Sequence, residues 1–440
     1  MPDQQLDAII FVPGLGEWTD QSADGIARRI AVSLDRNAQT VHAQFNLKLE
    51  SRDEEYVSSA QLTRKTPVRT IYRKDGAAEV PVLDIYALDY RPTLSQKYER
   101  QNVLVQSARL FLLLVINLPR LVRASFSPAK GRTAKAQFYF ALLILSLLIV
   151  YMAVLFAAAA GVVGQALWQS SQAVSAVVSG QSTPAPAATP VVTPTPAPAP
   201  PPGAASPQSF RLSQLLGPLQ TLVVLAAALQ ALWPGLREGL VKGALTYISI
   251  IEYITYGERR EVIAGQFSDL LEHIAEKGVY RHIHFVAFSF GSIVTLDTLF
   301  PANRKPGERF RLVHTLVTIG CPFDFFRMFW PEYFRKRQTW PDRPQRWINL
   351  YSPVDALASN FRDDDEDKPA EKGIALASGG ERKPENVVYS RGPDHISPLA
   401  ALALAGLRAH TTYWEVEYES EVSCFTDIVL TMYTGDPVLQ

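Results

Sequence analysis

Apolar positions along the chain fall into two regimes. In the outer stretches they come in short runs bounded by glycine, proline or charge; in the middle they merge into uncharged runs of membrane-spanning length. Residues 8–12 form a continuous apolar run that ends in Pro13-Gly14-Leu15-Gly16, the pattern of a buried strand entering a tight loop. Residues 82–88, 283–288, 312–319, 347–351 and 386–390 read as further strands, and 40–49 and 68–73 as more polar ones. Helical spacing is present over 22–34, 259–276, 293–300 and 397–408. Strands alternating with helices predict an α/β domain whose mainly parallel sheet is covered on both faces.

The middle of the chain predicts something else. From Ala136 to Phe210 there is no Asp, Glu, Lys or Arg. Within it, residues 138–160 are almost wholly apolar and long enough to cross a bilayer as a helix. Residues 212–236 form a second spanning run, interrupted by Gly217, Pro218, Gln220 and Gln230. The Pro/Ala/Thr-rich segment 182–207 between them cannot bury a core and reads as an extended spacer. Arg120, Arg123, Lys130, Arg132 and Lys135 precede the first run, Arg237 and Lys242 follow the second, and the loop between carries only Arg211. Basic residues mark the cytoplasmic side, so both flanks are expected there, with the loop across the membrane.

The expected organisation is therefore an N-terminal part of the α/β domain (1–100) and a basic segment (101–135) holding an apolar run at 110–119 suited to the membrane interface. A first transmembrane helix (136–168), a non-cytoplasmic loop (169–211) and a second transmembrane helix (212–236) follow. The C-terminal part of the α/β domain (237–440) completes the chain, with 245–256 packing on that domain. Residues 1–8 carry acids and amides without a basic, apolar leader, so no secretory signal is expected.

Composition narrows the classes. The 440 residues hold 43 basic and 43 acidic side chains, with no basic cluster interleaved with aromatics, which argues against a nucleic-acid partner. Cys321 and Cys424 stand far apart without nearby His or Cys, so neither a disulfide framework nor a metal site is expected. The acidic run at 363–367 lacks the spacing of a cation loop and reads as a solvated turn.

Chemistry concentrates where the strand at 283–288 runs into Ser289-Phe290-Gly291-Ser292 and a helix. A serine on a tight strand-to-helix turn sits beside the free amides and positive end of the helix, and small residues on either side let strand and helix approach. Ala287-Phe288-Ser289-Phe290-Gly291 resembles the nucleophile elbow of α/β-hydrolases, with Ala287 in place of the first glycine and Gly291 as the second. Phe11-Val12-Pro13-Gly14-Leu15-Gly16 resembles the loop after the first core strand of many lipases, with Pro13 where histidine is frequent. By that resemblance the amides of Leu15 and Phe290 would form an oxyanion hole.

The same resemblance places the acid of a catalytic triad at Asp355, just past the strand at 347–351, with Asp324 as alternative. It places the base at His410, which opens a His-x-x-Tyr-Trp ending at Trp414, with His395 as alternative. His282 and His284 are expected to pack along the approach to the nucleophile strand. The resemblance covers residues 7–94 and 258–425 and implies a two-step acyl transfer by Ser289, His410 and Asp355 that needs no cofactor. The membrane hairpin points to a lipid or other acyl ester as substrate and to the bilayer as partner. An acyltransferase or thioesterase with the same triad, or a catalytically silent hydrolase-like scaffold, is the alternative reading.

Overall fold

A computed structural model describes residues 6–15, 20–37, 44–75, 77–94, 112, 116, 119, 146, 249–255, 257–355, 357–364, 366–389, 410, 413 and 424–433. The chain divides into two units, residues 1–145 with 245–440 and residues 146–244. All elements named below belong to the first unit. The two expected membrane spans (apart from Ser146), the proline-rich loop, the helix expected at 397–408 and His395 lie outside the described residues. Among the described residues no helix is long and apolar enough to cross a membrane.

In chain order the first unit contains β1 (Leu6–Val12), α1 (Asp20–Asn37), β2 (Gln44–Val57), β3 (Thr63–Asp75) and β4 (Ala78–Ala87) before the insert. After it come α2 (Glu258–Glu276), β5 (Tyr280–Phe288), α3 (Phe290–Leu299), a 3-10 turn (Glu308–Leu312), β6 (Val313–Ile319) and α4 (Phe323–Phe329). They are followed by β7 (Arg346–Tyr351), β8 (Ile374–Ala375), β9 (Glu381–Arg382), β10 (Glu385–Val388) and α5 (Cys424–Tyr433). Eight strands form one sheet in the order β10-β7-β6-β5-β1-β4-β3-β2, while β8 and β9 make a separate small hairpin. From β10 to β4 all neighbours are parallel; β3 and β2 complete the sheet antiparallel.

The central parallel strands β1, β5, β6 and β7 are buried on both faces over most of their length, which is why they read as continuous apolar runs rather than alternating ones. In β1, Ile9 and Phe11 pack toward α1 and α5, whereas Ala8, Ile10 and Val12 pack toward α2, α3 and α4. In β5 the same alternation sends Val286 one way and Phe285 and Ala287 the other. β1 lies centrally between β4 and β5, strands that come from opposite sides of the insert. The carboxyl ends of β1 and β5 therefore open side by side, and crevices at such ends are where open α/β sheets hold ligands.

The hairpin of β2 and β3 is longer than the patterns at 40–49 and 68–73 suggested. Its added length is charged: Lys65 meets Glu55 at 2.8 Å across the strands, and Arg52 reaches Glu54 at 2.5 Å. Charge on an outer strand discourages pairing with another chain but hides the strand from a hydrophobic reading. α4 and α5 were not expected either. α5, Cys-Phe-Thr-Asp-Ile-Val-Leu-Thr-Met-Tyr, is rich in β-branched and aromatic residues that favour strands, and it is helical because its apolar face closes the core over α1. The described acids of the run at 363–367 lie in a largely exposed turn, as expected, where Arg362 also grips Asp364 at 2.6 Å and Glu371 at 2.8 Å and Lys372 pairs with Asp363.

Candidate active site

Ser289 follows β5 directly and caps α3 with φ 54° and ψ −127°. A side chain in this left-handed half of the map costs on the order of 1–3 kcal/mol and persists only where surroundings enforce it. Here the Ser289 N–H donates to Ile319 O at 2.8 Å, pinning the turn to the end of β6. Ser292 turns back to donate its Oγ–H to Ala287 O at 2.8 Å. Gly291 makes the turn possible: a Cβ there would lie 2.3 Å from Pro13 O and 2.6 Å from Val12 O, so α3 rests backbone to backbone on the end of β1. At the other small position Ala287, fully buried, carries its methyl inside the core.

Asp355 lies beyond β7 and is 1 % exposed. His410 bridges it to the serine, with Nδ1 2.8 Å from Asp355 Oδ2 and Nε2 2.6 Å from Ser289 Oγ. An ionised carboxylate only accepts hydrogen bonds, so Nδ1 carries the ring proton and Nε2 offers its lone pair to the serine hydroxyl. Phe288 stacks on the imidazole, ring centroids 5.0 Å apart and planes 24° from parallel, which fixes the ring's plane. Gly320, at φ +56°, keeps the space beneath open: a Cβ there would meet Tyr413, His410 and Asp355 at 3.1–3.3 Å.

Asp355 has further donors. Leu357 N–H reaches Oδ1 at 2.9 Å, and Tyr413 O–H donates to Oδ2 at 3.0 Å while accepting Ser352 N–H at 2.9 Å. Burial, and then the adjacent Asp355 carboxylate, hold the Tyr413 phenol well above its ordinary pKa, which favours its protonated, donating form. Sequence reasoning named Tyr413 only as part of an ending; its spacing of three from His410 was the available signal. Under the triad roles that the resemblance implies, replacing Asp355 with Asn lets the imidazole take the wrong tautomer, and turnover of an ester is expected to fall about ten-thousand-fold. Tyr413→Phe leaves the carboxylate one donor short and is expected to cost about tenfold. Steady-state kinetics of the two variants on a short-chain ester checks both values.

The two expected oxyanion donors flank the serine. Phe290 is the first residue of α3, where amide N–H groups have no partner within the helix. Its ring is held by Tyr253 at 5.3 Å, Phe326 at 5.9 Å and Tyr90 at 6.4 Å between centroids. Leu15 follows Gly14, on which a Cβ would come within 3.0 Å of Ser289 Cβ, so the loop after β1 abuts Ser289. Asp324, the alternative acid, sits in the first turn of α4 with Arg327 at 3.5 Å and its backbone N–H on Ser359 Oγ. Burial pushes its carboxyl up, and its partners are those rather than His410. Cys321 and Cys424 are both free and buried.

A second group of polar side chains lies at the opposite end of the same strands. Asp7, His282 and His284 cluster there, with the His314 ring 4.1 Å from that of His282 and 5.6 Å from that of His284 between centroids. The two histidines of β5 do pack along the strand that leads to Ser289, around the buried carboxylate of Asp7. No protein-family model, no curated protein and no solved structure matches the chain.

Proposed function

We propose that this chain is a serine hydrolase of the α/β-hydrolase type, held on a membrane, that cleaves the carboxylic ester of a lipid-like substrate. The observation that carries the proposal is the unbroken hydrogen-bonded line from Ser289 Oγ through His410 to Asp355, set on a strained strand-to-helix turn.

In this reading His410 Nε2 takes the Ser289 proton as Oγ attacks the acyl carbon. The oxygen that becomes negative faces the amides of Phe290 and Leu15, aided by the positive end of α3. The intermediate collapses, the C–O bond to the alcohol breaks, and the alcohol leaves with the proton from His410. Water, deprotonated by the same imidazole, then releases the acid and restores Ser289. Asp355 keeps the imidazole in its working tautomer and balances its transient charge, and Tyr413 and Leu357 keep Asp355 in place.

Two features support a membrane-borne substrate. One is the uncharged middle of the sequence, spanning length twice over. The other is that Leu112 and Ile116, both helical and one turn apart, are 57 % and 58 % exposed. Apolar side chains at i and i+4 share a helix face, and such a face turned outward suits the membrane interface. Leu112→Asp with Ile116→Asp is expected to lower hydrolysis of a vesicle-embedded ester by roughly tenfold or more while sparing a soluble short-chain ester. Equal loss on both substrates would remove the interfacial reading.

The reading as a whole is tested with a fluorophosphonate probe, which reacts with an activated serine and needs no known substrate. Labelling of the wild type that disappears in Ser289→Ala is the expected result. An unlabelled but folded wild type would overturn the proposal in favour of a silent hydrolase-like scaffold.

A further inference from the structure

We propose that Asp7, His282 and His284 bind a divalent transition-metal ion, with zinc the best fit, at the end of the sheet opposite Ser289. The placement follows from strand geometry. His282 and His284 are two apart on β5 and so share a face, and Asp7 of β1 is the registered partner of His282. His314 joins them because β6 is irregular there: Ile283 pairs with Val313 and His284 with Thr315, leaving His314 as the extra residue of a bulge. Bulges re-aim side chains in this way.

The ligand atoms of Asp7, His282 and His284 lie within 4.8 Å of one another. His282 Nδ1 stands 3.6 Å from Asp7 Oδ1 and His284 Nε2 3.6 Å from Asp7 Oδ2, one imidazole to each carboxylate oxygen. That is too long for a hydrogen bond and close to the edge of about 3.4 Å expected between ligands held about 2.0–2.1 Å from a tetrahedral ion. His284 supplies the independent sign of a ligand. It is 2 % exposed, and neither of its ring nitrogens has a hydrogen-bond partner. Buried polar atoms are seldom left so, and an ion among them would satisfy Nε2.

Two imidazoles and one carboxylate suit zinc and its transition-metal neighbours, whereas calcium and magnesium prefer all-oxygen sites. The His314 imidazole or a water completes the coordination. Arg281 holds the Asp7 carboxylate with Nη2 at 3.1 Å and Nε at 3.3 Å, the outer contact that orients a ligating carboxylate. Its positive charge weakens the site without closing it, because a carboxylate accepts from several directions. From His284 to Ser289 the strand advances roughly 17 Å at about 3.3 Å per residue, so the ion would clamp β1 to β5 rather than enter the ester chemistry.

The test uses the full-length protein in detergent, stripped with chelator and titrated with zinc ions by calorimetry. The expected result is one equivalent per chain, a higher melting temperature with zinc, and loss of both effects in His282→Ala. Binding is expected to remain in His410→Asn, which separates this site from the serine centre and keeps the outcome independent of the hydrolase reading. X-ray absorption of the zinc-loaded wild type, which needs no variant, is expected to show at least two imidazoles and oxygen around the ion. Absence of stoichiometric binding by the folded wild type, undiminished binding in His282→Ala, or a shell without imidazole would overturn the proposal.

Discussion

Ser289→Ala is expected to lower the proposed ester turnover by on the order of 10⁵- to 10⁶-fold while leaving the melting temperature within a degree or two of wild type. The loss is large because the hydroxyl is the group that His410 Nε2 holds at 2.6 Å and would activate in the proposed reaction. Stability is spared because alanine keeps the Cβ and therefore the same backbone cost at φ 54°. The contacts that enforce the turn, Ser289 N–H to Ile319 O and the close approach of Gly291 to β1, are untouched. Kinetics on a soluble ester together with thermal melts measure both halves of the result. A variant that retained a tenth of the activity would place the nucleophile elsewhere.

Gly291→Val is expected to be the most damaging single change near the site, costing about 3 kcal/mol or more and abolishing the proposed activity with it. Even the first carbon of a side chain would sit 2.3 Å from Pro13 O and 2.6 Å from Val12 O. These are backbone atoms at the end of a central strand, so no rotamer change relieves the overlap. α3 would have to move away from β1, carrying the amide of Phe290 from the loop that holds Leu15. Branching at the valine Cβ adds overlap, and Gly291→Ala is expected to show the same defect in smaller degree. Urea denaturation of the two variants beside wild type measures the cost; midpoints equal to wild type would mean that α3 does not rest on β1 as described. The elbow pattern is thus asymmetric in this protein, since Ala287 stands at the other small position with its methyl packed in the core.

What the chain's own pattern determined is local. Continuous apolar runs foretold β1, β4, β5, β6 and β7 because parallel strands covered on both faces have no polar side to show. Ser289 and Gly291 were legible for the same reason: strand, turn and helix are contiguous, and the small-residue requirement acts across two positions. The charged β2–β3 hairpin was foreshortened in the reading because hydrophobic pattern is silent where a strand borders solvent, and α5 was missed because its β-branched residues are helical only through packing on α1.

Only the tertiary structure decided which distant groups meet. His410 is 121 positions from Ser289 and 55 from Asp355, and only its His-x-x-Tyr-Trp ending favoured it over His395, which lies outside the described residues. Sheet order brings the ends of β5 and β7 to one edge of the molecule, where β6 and Gly320 leave room for the imidazole between serine and carboxylate. Asp355 rather than Asp324 faces that room because α4 turns Asp324 toward Arg327 and Ser359. Tyr413 acquires its part by reaching Asp355 and Ser352 together. The histidine and carboxylate cluster at the other end needed more still: strand register to set Asp7 beside His282, and one extra residue in β6 to turn His314 toward them. Backbone preferences and apolar runs act over a few residues, whereas register, bulges and side-chain encounters are settled by how the whole sheet closes against its helices.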